Sequence, residues 1–215
     1  ANMTNPWIAY TTSQLSRFMT NPGRPHWHAA LRVLIYLRDS PDNDLVFAPN
    51  ATLPFQVYVD SSWETKFSSS GALFFFMGCL LDWFSKKQHS VSLSSAEAEL
   101  FGVMLAARNA IFIRHLLVSL SSAFLQDQGP TRIFCDSKSA VDLSIDPVAF
   151  KKTKHILRAA EFLRDLVARL VVEVTHVPGN VMIADILTKP VSRMQFVQLI
   201  KLFRAYSASG DRGLP

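Results

Sequence analysis

Phe55-Gln56-Val57-Tyr58-Val59-Asp60 alternates in the manner of a strand, and two further apolar runs follow it, at residues 71–77 and 80–85, with Gly78 between them. A period of two marks a strand with one face toward a core, and a glycine between two such runs marks a hairpin. The three segments read as an antiparallel meander. The period then changes. Residues 94–120 carry Leu100, Met104, Ala107, Ile111 and Leu117 at helical, core-facing spacing. A loop at 126–130, a short strand at 131–135 and a short helix at 137–144, stopped near Asp146-Pro147, come next. A helix at 153–169, a strand at 170–177 and the turn Pro178-Gly179-Asn180 complete this part. A meander followed by helix-linked strands predicts an α/β fold. Its sheet is mixed and five-stranded, an antiparallel meander plus parallel strands, flanked by helices and joined by right-handed crossovers.

Outward from that core, two helices are expected before it, at 11–19 and 25–37, separated by Asn21-Pro22-Gly23. In the second, Trp27, Leu31, Leu34 and Leu37 line one face. A last helix is expected at 193–206, before a polar Ser/Gly tail. The organisation predicted is a helical segment over 1–50, an α/β domain over 51–190, and a C-terminal helix and tail over 191–215.

The chain has 215 residues, 49% of them hydrophobic and 18% charged, which is enough apolar material for a real core and excludes a disordered polyelectrolyte. The formal charge of +5 favours a polyanionic partner without specifying one. Cys79 and Cys135 both sit in apolar surroundings and read as reduced core thiols of an intracellular protein. The first residues lack the pattern of a secretory signal. The apolar run ending at Asp82 is too short to span a bilayer, and the helix after Glu99 carries Arg108, Asn109 and Arg114. A soluble protein without a membrane partner is expected.

Chemistry is suggested by Asp60, Glu99, Asp136 and Asp185, each at a structural junction. Asp60 and Asp136 follow apolar strands, Glu99 opens the long helix, and Asp185 follows the last strand and its turn. If the first and fourth strands are neighbours, Asp60 and Asp136 reach one site at the strand ends, where open α/β sheets bind ligands. Converging carboxylates raise one another's pKa values or demand cations. Two Mg²⁺ ions, about 3.5–4 Å apart, would neutralise such a cluster and assist an in-line displacement. Each acid also has an ordinary reading: a turn residue for Asp60, an N-cap for Asp136, a helix-start charge for Asp185. Glu97 competes with Glu99, but Ser94-x-x-Glu97 fits a capping box, which leaves Glu99 for the site. Tyr58-Val59-Asp60-Ser61 is also similar to the Tyr-x-Asp-Asp hairpin of polymerases, with Ser61 in place of the second Asp. Too little chain precedes it here to build fingers and palm.

Asp60-Ser61-Ser62-Trp63, Ser85-Lys86-Lys87-Gln88 and Leu93-Ser94-Ser95-Ala96-Glu97-Ala98-Glu99 carry a closer likeness. It continues through Phe134-Cys135-Asp136-Ser137, Lys152-Thr153-Lys154-His155-Ile156 and Ala184-Asp185-Ile186-Leu187-Thr188-Lys189-Pro190. Together they resemble the ribonuclease H domain of copia-type LTR-retrotransposon polyproteins. Ser13-Gln14-Leu15-Ser16-Arg17-Phe18-Met19 and the residues from His26 to Leu34 resemble the connection segment between polymerase and ribonuclease H. The resemblance implies a ribonuclease H-like fold whose catalytic, metal-holding residues are Asp60, Glu99, Asp136 and Asp185. It implies two Mg²⁺ ions, with Mn²⁺ as substitute, and endonucleolytic hydrolysis of the RNA strand of an RNA–DNA hybrid during reverse transcription. The implied partners are the hybrid and the polymerase domain of the same polyprotein. The implied location is a cytoplasmic retrotransposon particle or the nucleus. A non-catalytic nucleic-acid-binding or assembly module on the same fold, adopted by a host, is the competing expectation.

Departures from the family pattern are a short stretch between Trp63 and Gly71, Leu157 where an Asp commonly follows the Lys-His-Ile motif, and no His in the loop 178–184. His176, on the last strand, reads as structural. Substrate contacts are expected from Lys86 and Lys87 and from Lys151, Lys152, Lys154, His155 and Arg158, because such cations bind phosphates without reading sequence. Ser137 is a candidate contact to a 2′-hydroxyl. Trp63, Trp83 and Phe84 suit either base stacking or core packing.

Overall fold

β1 (Gln56–Ser62), β2 (Ser69–Phe76) and β3 (Cys79–Lys87) form the expected meander. This is a computed structural model, and it describes residues 4–40, 44–64, 67–121, 129–146 and 154–209. Met77 and Gly78 both adopt positive φ, 53° and 76°, as the two central residues of the β2–β3 hairpin. That geometry matches the twist of the flanking strands, and a glycine adopts it without steric cost. β4 (Thr131–Cys135) and β5 (Val172–His176) add parallel neighbours, giving the order β3-β2-β1-β4-β5. The mixed five-stranded sheet expected from the sequence is the one observed.

α1 (Ala9–Ser16) and α2 (Arg24–Asp39) precede the sheet, and α3 (Ser95–Leu120) follows the meander. α4 (Lys138–Ile145) and α5 (Lys154–Ala168) lie between the parallel strands, and α6 (Arg193–Ser209) comes last. The period of β1 divides the core. Val57 and Val59 face a layer with Leu100, Val103, Ala107, Leu143 and Leu163 from α3, α4 and α5. Tyr58 faces the opposite layer with Trp7, Ile183, Leu187, Leu199 and Phe203. By length and composition α3 could cross a membrane. Its inner residues instead lie against β1, β2 and β4, and Val103, Ala106 and Ala110 are fully buried there.

Several boundaries differ from the sequence reading, for physical reasons. β1 does not stop at Asp60, because Ser61 and Ser62 remain paired with Ser70 and Ser69. β5 starts two residues later than expected. Leu170 has φ 55°, its N–H bonds to Val167 O at 3.0 Å, and Val171 N–H bonds to Leu166 O at 2.9 Å. These bonds form a Schellman closure of α5, so residues 169–171 end a helix rather than begin a strand. α2 buries none of its residues, and Trp27 and Leu34 are 64% and 62% exposed, so the apolar face read from the sequence is not a core face here. The expected loop over 126–128 and the tail from 210 onward lie outside the described residues.

Candidate metal centre

The site begins with strand register. β1 and β4 run parallel with Tyr58 opposite Phe134, so the residues two positions further on, Asp60 and Asp136, arrive level with each other. The period of two keeps Asp60 on the Tyr58 face. Against that face lies a short 3-10 helix, Ile183–Leu187, which carries Asp185. Its close approach depends on Gly71, the partner of Asp60 on β2. A Cβ at that position would collide with the Leu187 side chain and would lie 2.9 Å from Thr188 Cγ2.

One carboxylate oxygen from each of Asp60, Asp136 and Asp185 lies within 4.8 Å of the other two. A second group meets the first at Asp136: ligand atoms of Glu99, Cys135 and Asp136 also lie within 4.8 Å. Cys135 Sγ is 3.9 Å from Glu99 Oε2. All the sequence-predicted acids thus converge. The competing N-cap reading of Asp136 does not describe α4, whose N-cap is Ser137, with Ala140 N–H donating to Ser137 Oγ at 3.3 Å. Glu97 takes a helix-start role with a shifted partner. Its Oε2 accepts from Leu93 N–H at 2.8 Å, one residue before the Ser94 cap.

Burial governs the electrostatics. Asp60, Asp185 and Glu99 are 1%, 4% and 7% exposed. Desolvation, joined by the charges of Asp60 and Asp136, pushes the Glu99 pKa up to about 9. Desolvation followed by Asp60 pushes Asp185 up to about 6, against the pull of Lys189. Burial also raises Asp60, offset in part by Lys189 and by the Thr188 hydroxyl. Burial opposes the charge of Lys189, but Asp60 and Asp185 outweigh it and raise its pKa. The Cys135 thiol is raised by burial and then by Glu99, so it stands as a protonated neighbour rather than a thiolate ligand. What remains is a set of hard oxygen donors. Ligand oxygens around one Mg²⁺ at 2.0–2.1 Å are at most about 4.2 Å apart, and oxygens gathered within 4.8 Å need only small shifts to meet that limit. The donor set fits a divalent cation.

Three side chains that organise this cluster carry no role in the sequence reading beyond their place in motifs. Thr188 Oγ1 donates to Asp60 Oδ2, and Thr188 N–H bonds back to Asp185 O at 3.2 Å. Lys189 Nζ lies 2.8 Å from Asp185 Oδ1 and 3.7 Å from Asp60 Oδ1. Buried Gln88, just past β3, donates through Nε2 to Ser70 Oγ and Ala98 O, each at 2.8 Å, and accepts from Ser92 Oγ. It fixes the start of α3, and with it Glu99. Their polar side chains beside apolar runs were the available signal.

The expected substrate contacts are more dispersed. Lys86 and Lys87 are exposed at the end of β3, with Nζ atoms 5.4 Å and 3.5 Å from the ring centres of Phe84 and Phe67. β3 runs parallel to β1, so they stand at the same end of the sheet as Asp60. Ser137 Oγ is engaged in its cap. Arg158 is exposed on α5, whose first residues are Lys154 and His155; Lys151 and Lys152 lie outside the described residues. His176, exposed at the end of β5, has Nε2 3.1 Å from Asp136 O. Trp63 Nε1 donates to Ser92 O at 2.9 Å, while Trp83 and Phe84 are core residues.

A sheet ordered β3-β2-β1-β4-β5, with carboxylates converging where its central parallel strands end, defines a ribonuclease H-like domain. Among known proteins, the chain is 34% identical over 197 residues to the retrovirus-related Pol polyprotein from transposon RE2 of Arabidopsis thaliana. It is likewise 34% identical over 197 residues to that from transposon TNT 1-94 of Nicotiana tabacum. Both matches cover 90% of this chain, and the chain spans only 13% and 14% of those polyproteins. A crystal structure of LC11-RNase H1 in complex with an RNA/DNA hybrid superposes with a TM-score of 0.47 at 14% identity, over 62% of this chain and 93% of that one. No family model matches the chain. Over 90% of its length the chain is similar to one stretch of the retrovirus-related Pol polyproteins of copia-type transposons.

Proposed function

We propose that this chain is the ribonuclease H part of such a polyprotein, an endonuclease that hydrolyses the RNA strand of RNA–DNA hybrids with two divalent metal ions, Mg²⁺ or Mn²⁺. The observation that carries the reading is the gathering of Asp60, Asp136 and Asp185 oxygens within 4.8 Å, with Glu99 joined to them through Asp136. The 34% identity to Pol polyproteins over 90% of this chain supports it, and the polymerase part of such a polyprotein is its natural partner. In the overall reaction, water forms a new bond to phosphorus and the bond from phosphorus to the 3′-oxygen breaks. The products are a 5′-phosphate and a 3′-hydroxyl, the leaving oxygen taking up a proton. The chemistry that a metal pair supplies when bound is charge neutralisation, a more acidic water and a stabilised leaving oxygen.

The residues of the chain do the rest. Asp60, Asp136, Asp185 and Glu99 hold the cations; Thr188 and Gln88 keep Asp60 and Glu99 in place. Lys86, Lys87 and Arg158, together with Lys152, Lys154 and His155, bind the phosphate backbone. In this reading Ser137 contacts a 2′-hydroxyl, the group that marks RNA. The test is Asp136→Asn with a labelled hybrid in Mg²⁺. The expected result is loss of cleavage by at least about 10²-fold with an unchanged fold, as for removal of a charge-stabilising group. Cleavage at the wild-type rate refutes the assignment.

A further inference from the structure

Lys189 stands among the acids in a way that the proposed reaction does not require. The 3-10 helix ends in one further turn: Lys189 N–H bonds to Asp185 O at 3.2 Å, which brings the side chain four residues on back over Asp185. Pro190 follows and cannot prolong the helix. The ammonium therefore sits 2.8 Å from Asp185 Oδ1 and 3.7 Å from Asp60 Oδ1, touching two of the three carboxylates that share one small volume. Among the described residues, it is the cation that the structure pairs with this cluster. The side chain is 38% exposed, against 2% and 6% for the two aspartates, so it reaches in from the solvent side.

An oxygen that coordinates Mg²⁺ directs its lone pairs at an ion about 2.1 Å away. An ammonium on that same oxygen would then face a double positive charge at close range. Two cations cannot share Asp185 Oδ1 and Asp60 Oδ1 without strong repulsion.

We infer that Lys189 is a resident counter-ion of the carboxylate cluster, which a divalent cation must displace from Asp60 and Asp185. The side chain holds the pocket together when no metal is bound, and it sets how much free metal the site needs before it fills. Lys189 is a positioning residue in this role, and the inference rests on the metal-holding assignment of Asp60 and Asp185.

The experiment uses the full chain, with Lys189→Met and Lys189→Gln as neutral variants of similar length. Mn²⁺ binding is measured by calorimetry, and thermal unfolding is followed in EDTA and in Mn²⁺. Expected are a lower Tm of both variants in EDTA, and Mn²⁺ binding tightened at least about fivefold, the lower end of ordinary coupling between two ligands. A merely structural lysine would lower Tm in EDTA and leave Mn²⁺ affinity unchanged or weaker, and that result overturns the inference. If the variants are unfolded in EDTA, recovery of the fold by Mn²⁺ supports the counter-ion role, and failure to recover refutes it. A wild-type chain that binds no Mn²⁺ refutes the metal assignment along with it. Wild type that binds, with variants that bind no better, refutes the counter-ion alone.

Discussion

Removing metal should make the stability of this protein fall steadily as pH rises, and Glu99 sets the size of the effect. Its folded-state pKa is raised from 4.5 to about 9 by burial and then by Asp60 and Asp136. Below pH 4.5 the carboxyl is protonated in both folded and unfolded chains, and it contributes no pH dependence. Between the two values the unfolded chain has released the proton and the folded chain keeps it. Raising pH therefore favours unfolding by about 1.4 kcal/mol per unit. At pH 7 the accumulated cost is about 3 kcal/mol, and by pH 9 about 6 kcal/mol, an upper figure because relaxation and water entry soften it. Denaturant titrations in EDTA from pH 5 to 9 read the slope directly. Glu99→Gln, neutral at every pH, should reduce it to the part that Asp60 and Asp185 add, and saturating Mg²⁺ should remove it by favouring the ionised forms. A metal-free stability that rises with pH, or a slope untouched in Glu99→Gln, refutes the placement of Glu99 among buried like charges.

Other substitutions test single supports. Gly71→Ala places a methyl against Leu187 and Thr188 and should cost about 1–3 kcal/mol by overpacking, read as a drop in Tm, with weakened Mn²⁺ binding as Asp185 is pushed away. Thr188→Val removes the hydroxyl that donates to buried Asp60 and should cost about 1–3 kcal/mol, more at neutral pH than in acid, measured by denaturant unfolding. Leu170→Gly should instead stabilise by about 1 kcal/mol, because Leu170 holds a left-handed helix end while 73% exposed; a lower Tm would refute the Schellman reading.

The sheet was legible in advance because its strands are short apolar runs separated by Gly and Pro, and a period of two assigns faces without knowledge of partners. The helix ends were less so. Leu170 looks like the first residue of a strand, and only its backbone bonds to α5 reveal a cap. The face of α2 misled for a related reason: helical spacing of Trp27 and Leu34 shows that a face is apolar, not that anything covers it. The convergence of Asp60 and Asp136 follows from the pairing of their strands, since each carboxylate closes an apolar run. That of Lys189, Thr188 and Gln88 does not. Their roles depend on a turn that folds back on itself and on a loop meeting the start of α3, contacts between segments that no local pattern encodes.

The bond between Thr188 and Asp60 joins residues 128 positions apart, and it closes the pocket with nearly the last ordered stretch before α6. The segment that carries Asp185 follows the long helix and all five strands in the chain. The three-aspartate cluster therefore cannot assemble until this segment has docked on the sheet. Without the 183–189 turn the sheet would lose Asp185 and the Thr188 bond to Asp60, and also the Ile183 and Leu187 side chains that cover Tyr58, so the acidic pocket and one layer of the core stand or fall together.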